Sequence, residues 1–217
     1  MKIITLLGLP ASGKSYYGKR LAEELKVRFV PEIATQLIHK KGYKIGVNAP
    51  PEFDRDVFER NLERAEKVLR SRLKIIVWEG GPVLDYFFLE GRLKLGTARK
   101  EREDVLRLYD NRTFKELSER TTYILFNVEP QVSLQRQGER SKPELLTPDL
   151  KLLKIVHNRL INFYKKNRNK SILITVDKTK EEVFEEVKRE ISRITRQTQL
   201  CSRDKRLKRK IQKDYTT

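Results

Sequence analysis

The residues with the most specific chemistry stand near the amino terminus, in the run Gly8-Leu9-Pro10-Ala11-Ser12-Gly13-Lys14-Ser15. Its pattern is G-x-x-x-x-G-K-S. Glycine at both ends of a tight loop permits backbone angles and close approaches that a β-carbon forbids. Successive N–H groups can then converge on one anion, and a helix starting at the loop adds partial positive charge. A lysine next to the second glycine reaches phosphate oxygens, and the serine hydroxyl is a hard oxygen ligand for Mg²⁺. The pattern predicts a phosphate cradle built from Gly8, Pro10, Ala11, Ser12, Gly13, Lys14, Ser15 and Tyr16, with ATP as the nucleotide. A competing reading takes Met1–Ser12 as the outline of a secretory signal peptide. Pro10 and the Gly-Lys-Ser that follows interrupt the uninterrupted apolar run such a peptide needs.

A loop of this kind works only between a buried strand and a helix, and the flanking sequence supplies both. Residues 2–9 form a continuous apolar, β-branched run, as expected of a strand buried on both faces of a parallel sheet. Residues 14–26 read as a helix with Tyr17, Leu21 and Leu25 on one face. The same alternation continues along the chain. Strands are expected at 27–30, 74–81, 121–128 and 171–177. Helices are expected at 32–42, 58–73 and 98–119, from about 148 to 167, and at 178–197. Residues 46–54 read as a loop rich in turn residues, and 82–91 as a helical turn or two. Five buried strands separated by helices predict an α/β fold with a five-stranded parallel sheet and helices on both faces.

Ligands bind outside the carboxyl ends of the strands in such sheets, which converts sequence positions into a site. Glu32 follows the second strand and Glu79 ends the third directly after Ile75-Ile76-Val77-Trp78. Asp85, six residues beyond Glu79, reads more readily as a surface position on a short helix. Tyr43, Phe53 and Phe58 are candidates for stacking on a substrate base, although single aromatics more often belong to a core. The two histidines, His39 and His157, and the one cysteine, Cys201, form no metal-ligand pattern, which argues against zinc or thiol chemistry.

Composition sets the outer limits. The 217 residues suffice for one α/β domain with a sizeable core. A single cysteine excludes an intramolecular disulfide framework and fits a reducing cytosol, so a cytoplasmic location is expected. No apolar run approaches the roughly 20 residues that span a bilayer. The net charge is +18, and Arg196–Thr217 holds eight basic residues against two acids. That segment reads first as a solvated basic tail, 198–217, and second as an arm for nucleic acid.

Taken in order, the glycine loop, Phe29-Val30-Pro31-Glu32, Ile75–Gly80 and the basic Leu134-Gln135-Arg136-Gln137-Gly138-Glu139-Arg140 before a long helix resemble the P-loop nucleoside and nucleotide kinases. Thymidylate kinases and deoxynucleoside kinases are the nearest groups, and the resemblance spans roughly residues 1–177. It implies the three-layer P-loop NTPase fold over 1–197, in which the loop is the Walker A motif. It also implies transfer of the γ-phosphoryl of ATP, with Mg²⁺, to a nucleoside or nucleoside monophosphate, and it leaves room for a homodimer. A polynucleotide kinase or a non-catalytic ATP-dependent nucleic-acid-binding module is the alternative. By the same resemblance Lys14 and Glu32 are catalytic, Glu32 as general base, and Glu79 joins Ser15 in holding Mg²⁺. Arg136 and Arg140 would belong to a LID at about 134–147 that closes over the phosphates, with arginine forks stabilising the transferring group. One departure stands out: Gly80 occupies the position of the family's substrate-contacting arginine.

Overall fold

The computed structural model describes residues 1–43, 46–96, 98–139 and 149–193. Five strands, β1 (Lys2–Gly8), β2 (Arg28–Val30), β3 (Ile75–Glu79), β4 (Thr121–Asn127) and β5 (Ser171–Thr175), form one sheet in the order β2-β3-β1-β4-β5. Every pairing is parallel. This is the α/β architecture the alternation predicts. β1 lies at the centre, which is why six of its seven residues are buried and its sequence is apolar without alternation.

The helices follow from the same need to cover both faces. α1 (Lys14–Leu25) packs on one face, where Gly18 lies against Leu6 and Phe29. Ile3 and Leu7 point to the opposite face, as the period of two along a strand requires. There they join cores built from α3 (Pro51–Leu69), α4 (Gly81–Leu95), α5 (Arg99–Leu108), α6 (Arg112–Glu119) and α8 (Leu150–Lys166). Phe58, Trp78, Tyr109 and Phe114 dominate one of these clusters, and Phe87, Tyr123 and Leu153 the other. α2 (Ile33–Lys41) and α7 (Pro130–Gly138) leave β2 and β4 at the carboxyl edge of the sheet.

Three expectations change. α3 begins at Pro51, inside the stretch expected as a loop, because proline at a first helical position has no N–H to lose and Glu52 and Asp54 suit the helix dipole. The segment after Gly80 is a full 15-residue helix, since α4 is clamped between α3 and α8 rather than left as a surface turn. The long helix expected at 98–119 is two, broken at Tyr109–Asn111, where the Asn111 side chain accepts from Phe114 N and starts α6 afresh.

The described residues up to Val176 form one compact unit, and those from Asp177 onward belong to a second. The described part of the second unit is helix α9 at 180–193, opened by a capping box. Thr179 N and Oγ1 donate to Glu182 Oε2 at 3.0 and 2.7 Å, and Glu182 N donates to Thr179 Oγ1 at 3.3 Å. The basic segment 198–217 and residues 140–147 of the expected LID, Arg140 among them, lie outside the described residues. No helix among the described residues is long and apolar enough to cross a membrane.

Candidate active site at the carboxyl ends of the strands

The register of the sheet brings the site together. Leu6 of β1 is paired with Glu79 of β3, and Gly8 with Phe126 of β4, so the glycine loop leaves the sheet between these two neighbours. β4 runs so close beneath Gly8 that a β-carbon there would stand 2.8 Å from the Phe126 carbonyl oxygen. Only glycine fits. Gly13 caps α1 with a left-handed backbone, and Ala11 at the crown also has positive φ. The buried Lys14 ammonium donates to the carbonyls of Gly8 and Leu9, both at 2.9 Å, and so lies across the loop. From α7, the Ser133 hydroxyl donates to the Pro10 carbonyl at 2.7 Å and fastens the crown from outside. The Ser12 hydroxyl is buried without a hydrogen-bond partner.

Two acids face this loop. The Ser15 hydroxyl donates to Glu79 Oε1, and the backbone N–H of Glu32 approaches Glu79 Oε2 at 3.5 Å. Glu79 is buried, Glu32 half-buried. Gly80 lies between their chains: a β-carbon on it would be 3.6 Å from Glu32 Oε1 and 3.3 Å from Leu84 Cδ2. Gly80 has φ +71, so an arginine at this position would be strained as well as crowded. The departure from the family pattern is therefore built into the backbone that delivers Glu79 and Glu32 to one place.

Asp85 belongs to the same neighbourhood and is not at the surface. It lies buried on the first turns of α4, where it accepts from Asn61 Nδ2 at 2.6 Å. Burial first, and then the charge of Glu32, push its pKa up to about 7. Asn61 is itself fully buried, and its Oδ1 has no partner. Deeper between the helices, Asp54 accepts from Arg92 Nε at 2.9 Å and from Arg102 Nε at 3.0 Å, with all three side chains buried. Sequence reasoning misses Asn61 and Arg102 altogether. The available signal was a polar residue on the inward face of the strong amphipathic helix α3, at 54 and 61.

The remaining candidates sort differently. Arg136 is half-buried on α7, and its Nη2 donates to the Val176 carbonyl just past β5 at 3.2 Å. Its charge also acts on Tyr17, whose ring stacks on Phe126 at 5.3 Å. Tyr16 is exposed and meets Tyr17 edge-on. Phe53 and Phe58 are core residues, Phe53 against Tyr43 and Phe58 against Tyr109 and Phe114, so neither Phe53 nor Phe58 is a free stacking surface.

The donor set fits Mg²⁺. This ion prefers oxygen ligands, keeps several waters and takes one or two protein ligands alongside substrate phosphates. The Ser15 hydroxyl and a buried carboxylate already in contact with it, at the mouth of a phosphate-type loop, are such a set. Among the described residues no group of three or more His, Cys, Asp or Glu is arranged to hold a metal ion.

Strand order and helix layers together define an α/β fold with a parallel five-stranded sheet and a glycine loop between β1 and α1. No protein-family model and no curated protein matches the chain by sequence. By structure it is similar to deoxyadenosine kinase from M. mycoides with the products dCMP and a flexible dCDP bound. The TM-score is 0.70 at 12% identity, covering 88% of this chain and 98% of that one. The same enzyme with bound dATP gives a TM-score of 0.64 at 15% identity, covering 88% and 99%. With bound dCTP the values are 0.65 and 15%, covering 88% and 98%. The resemblance to P-loop nucleoside kinases thus holds at the level of the fold.

Proposed function

We infer that the protein is an ATP- and Mg²⁺-dependent kinase whose acceptor is the hydroxyl of a deoxynucleoside. The observation that carries this reading is the meeting of Glu32 and Glu79 beside Ser15 at the mouth of the loop. A hydroxyl acceptor must lose a proton as its oxygen bonds to phosphorus, so it needs a carboxylate near the γ-phosphate. The phosphate of a nucleoside monophosphate is already ionised and needs none. The fold shared with a deoxyadenosine kinase supports the same acceptor class.

In this reading Lys14 and the loop N–H groups hold the β- and γ-phosphates. Tyr16 and Pro10–Gly13 flank them, and Ser15 and Glu79 hold Mg²⁺. Bound there, the ion would offset negative charge on the β- and γ-phosphate oxygens. The acceptor oxygen attacks the γ-phosphorus, the bond to the β–γ bridging oxygen breaks, and ADP leaves. Glu32 takes the acceptor's proton. Arg136 and Arg140 are the candidate cations for charge on the transferring group. A panel of deoxynucleosides, nucleoside monophosphates and oligonucleotides incubated with ATP, with products read by mass, tests the reading. A deoxynucleoside monophosphate is the expected product. Phosphorylation of a nucleoside monophosphate or an oligonucleotide instead would overturn it.

A further inference from the structure

β2 is a poor foundation for a catalytic group. It has only three residues, lies at the sheet edge, and pairs with β3 alone. The residue after it, Pro31, has no N–H to give the ladder. Glu32 then caps α2 without a side-chain capping bond, its N–H makes a long 3.5 Å approach to Glu79, and its Oε2 accepts from Thr35 Oγ1 at 3.4 Å. Yet a base must be held in place to within a fraction of an ångström of its target.

A third element adds a restraint on the turn itself. Arg64, half-buried on α3, spans the turn that carries Glu32. Its Nη1 donates to the Pro31 carbonyl at 2.7 Å, and its Nη2 donates to Gln36 Oε1 at 2.6 Å. Pro31 immediately precedes Glu32, and Gln36 lies one helical turn beyond it on α2. A planar fork that engages acceptors on both sides of one residue limits how that residue can shift or rotate. The same helix carries Asn61, which donates to Asp85, so α3 touches both the Glu32 turn and Asp85.

We propose that Arg64 is the positioning residue for Glu32, bracing the β2–α2 turn from α3 so that the carboxylate stays aimed at the acceptor hydroxyl. This rests on the kinase reading for its kinetic consequence but not for its structural one. A bracing role and a merely structural one separate in two measurements on the full chain. In hydrogen exchange, Arg64→Ala should accelerate the amides of Glu32 and of α2 at least about tenfold while leaving Ile76–Trp78 of β3 unchanged. In kinetics with ATP and the preferred deoxynucleoside, kcat should fall roughly 10- to 100-fold with the KM for ATP unchanged. Gln36→Ala, which removes one of the two anchors and none of the buried packing, should show the same pattern more weakly. Arg64→Lys, able to reach one acceptor at a time, should recover part of both effects.

Unchanged exchange at Glu32 and α2 in Arg64→Ala would overturn the proposal. So would acceleration spread equally over β3, or local acceleration with kcat intact. If the wild-type protein phosphorylates no acceptor, the kinase reading falls, and the exchange pattern alone then decides whether Arg64 braces the turn.

Discussion

The Ser15 hydroxyl donates to the Glu79 carboxylate, joining the first turn of α1 to the last residue of β3. These residues are 64 positions apart, yet both sit at the carboxyl edge because β1 and β3 are parallel neighbours in register. A serine hydroxyl and a buried carboxylate in contact beside a phosphate-type loop make a hard-oxygen pair suited to Mg²⁺.

Glu79→Gln keeps the size of the side chain and removes its charge. It should raise the Mg²⁺ concentration needed for half-maximal phosphoryl transfer by roughly 10- to 100-fold. Titrating activity against Mg²⁺ at saturating ATP checks this, and a shift confined to kcat would take Glu79 out of the ion's shell.

Glu32→Gln should lower kcat about 10²-fold or more while leaving ATP affinity intact. Nucleotide affinity by calorimetry, set beside turnover, separates the two. Unchanged turnover would remove Glu32 from the mechanism.

Asp85 predicts a pH dependence of stability. Its folded pKa of about 7 stands above the unfolded value near 3.8, mainly through burial. Between those values the folded protein binds the extra proton, so the stabilisation is full below about pH 4 and is lost as pH rises through 7. Asp85→Asn cannot ionise and can still hydrogen-bond Asn61 after an amide flip. Chemical denaturation of the two proteins from pH 4 to 8 should show the wild type losing stability relative to Asp85→Asn, by an amount on the order of a few kcal/mol. Parallel curves would refute the buried-acid account.

Asp54→Ala should destabilise more than any change at the site itself, by roughly 3–5 kcal/mol, because it strands the buried Arg92 and Arg102 guanidiniums. The denaturation midpoint reads this directly. A loss under about 1 kcal/mol would mean that water reaches both arginines.

Much of the architecture was legible locally. Gly8–Ser15 carries its own structural logic within eight residues, and the apolar run 2–9 announces a central strand because both of its faces are covered. Phe53 and Phe58 show the limit of such reading. Their aromatic character is equally compatible with a base platform and a core, and only packing against Tyr43, Tyr109 and Phe114 decides for the core. Asp85 was misplaced for a related reason. An acid in a largely apolar segment reads as its solvent face until the partner at Asn61, 24 residues away, is known.

By itself, then, the sequence determined the phosphate loop, the five strands and their order along the chain, because hydrophobic periodicity and glycine chemistry act over a few residues. The tertiary structure decided which distant groups meet. Parallel pairing of β1 with β3 brings Ser15 to Glu79, and the positive φ of Gly80 leaves room for Glu32 beside them. Helix α3, which precedes β3 in the chain, delivers Arg64 to Pro31 and Asn61 to Asp85. Such meetings depend on strand order, register and helix rotation, which are set by burial summed over the whole core and by no single stretch of residues.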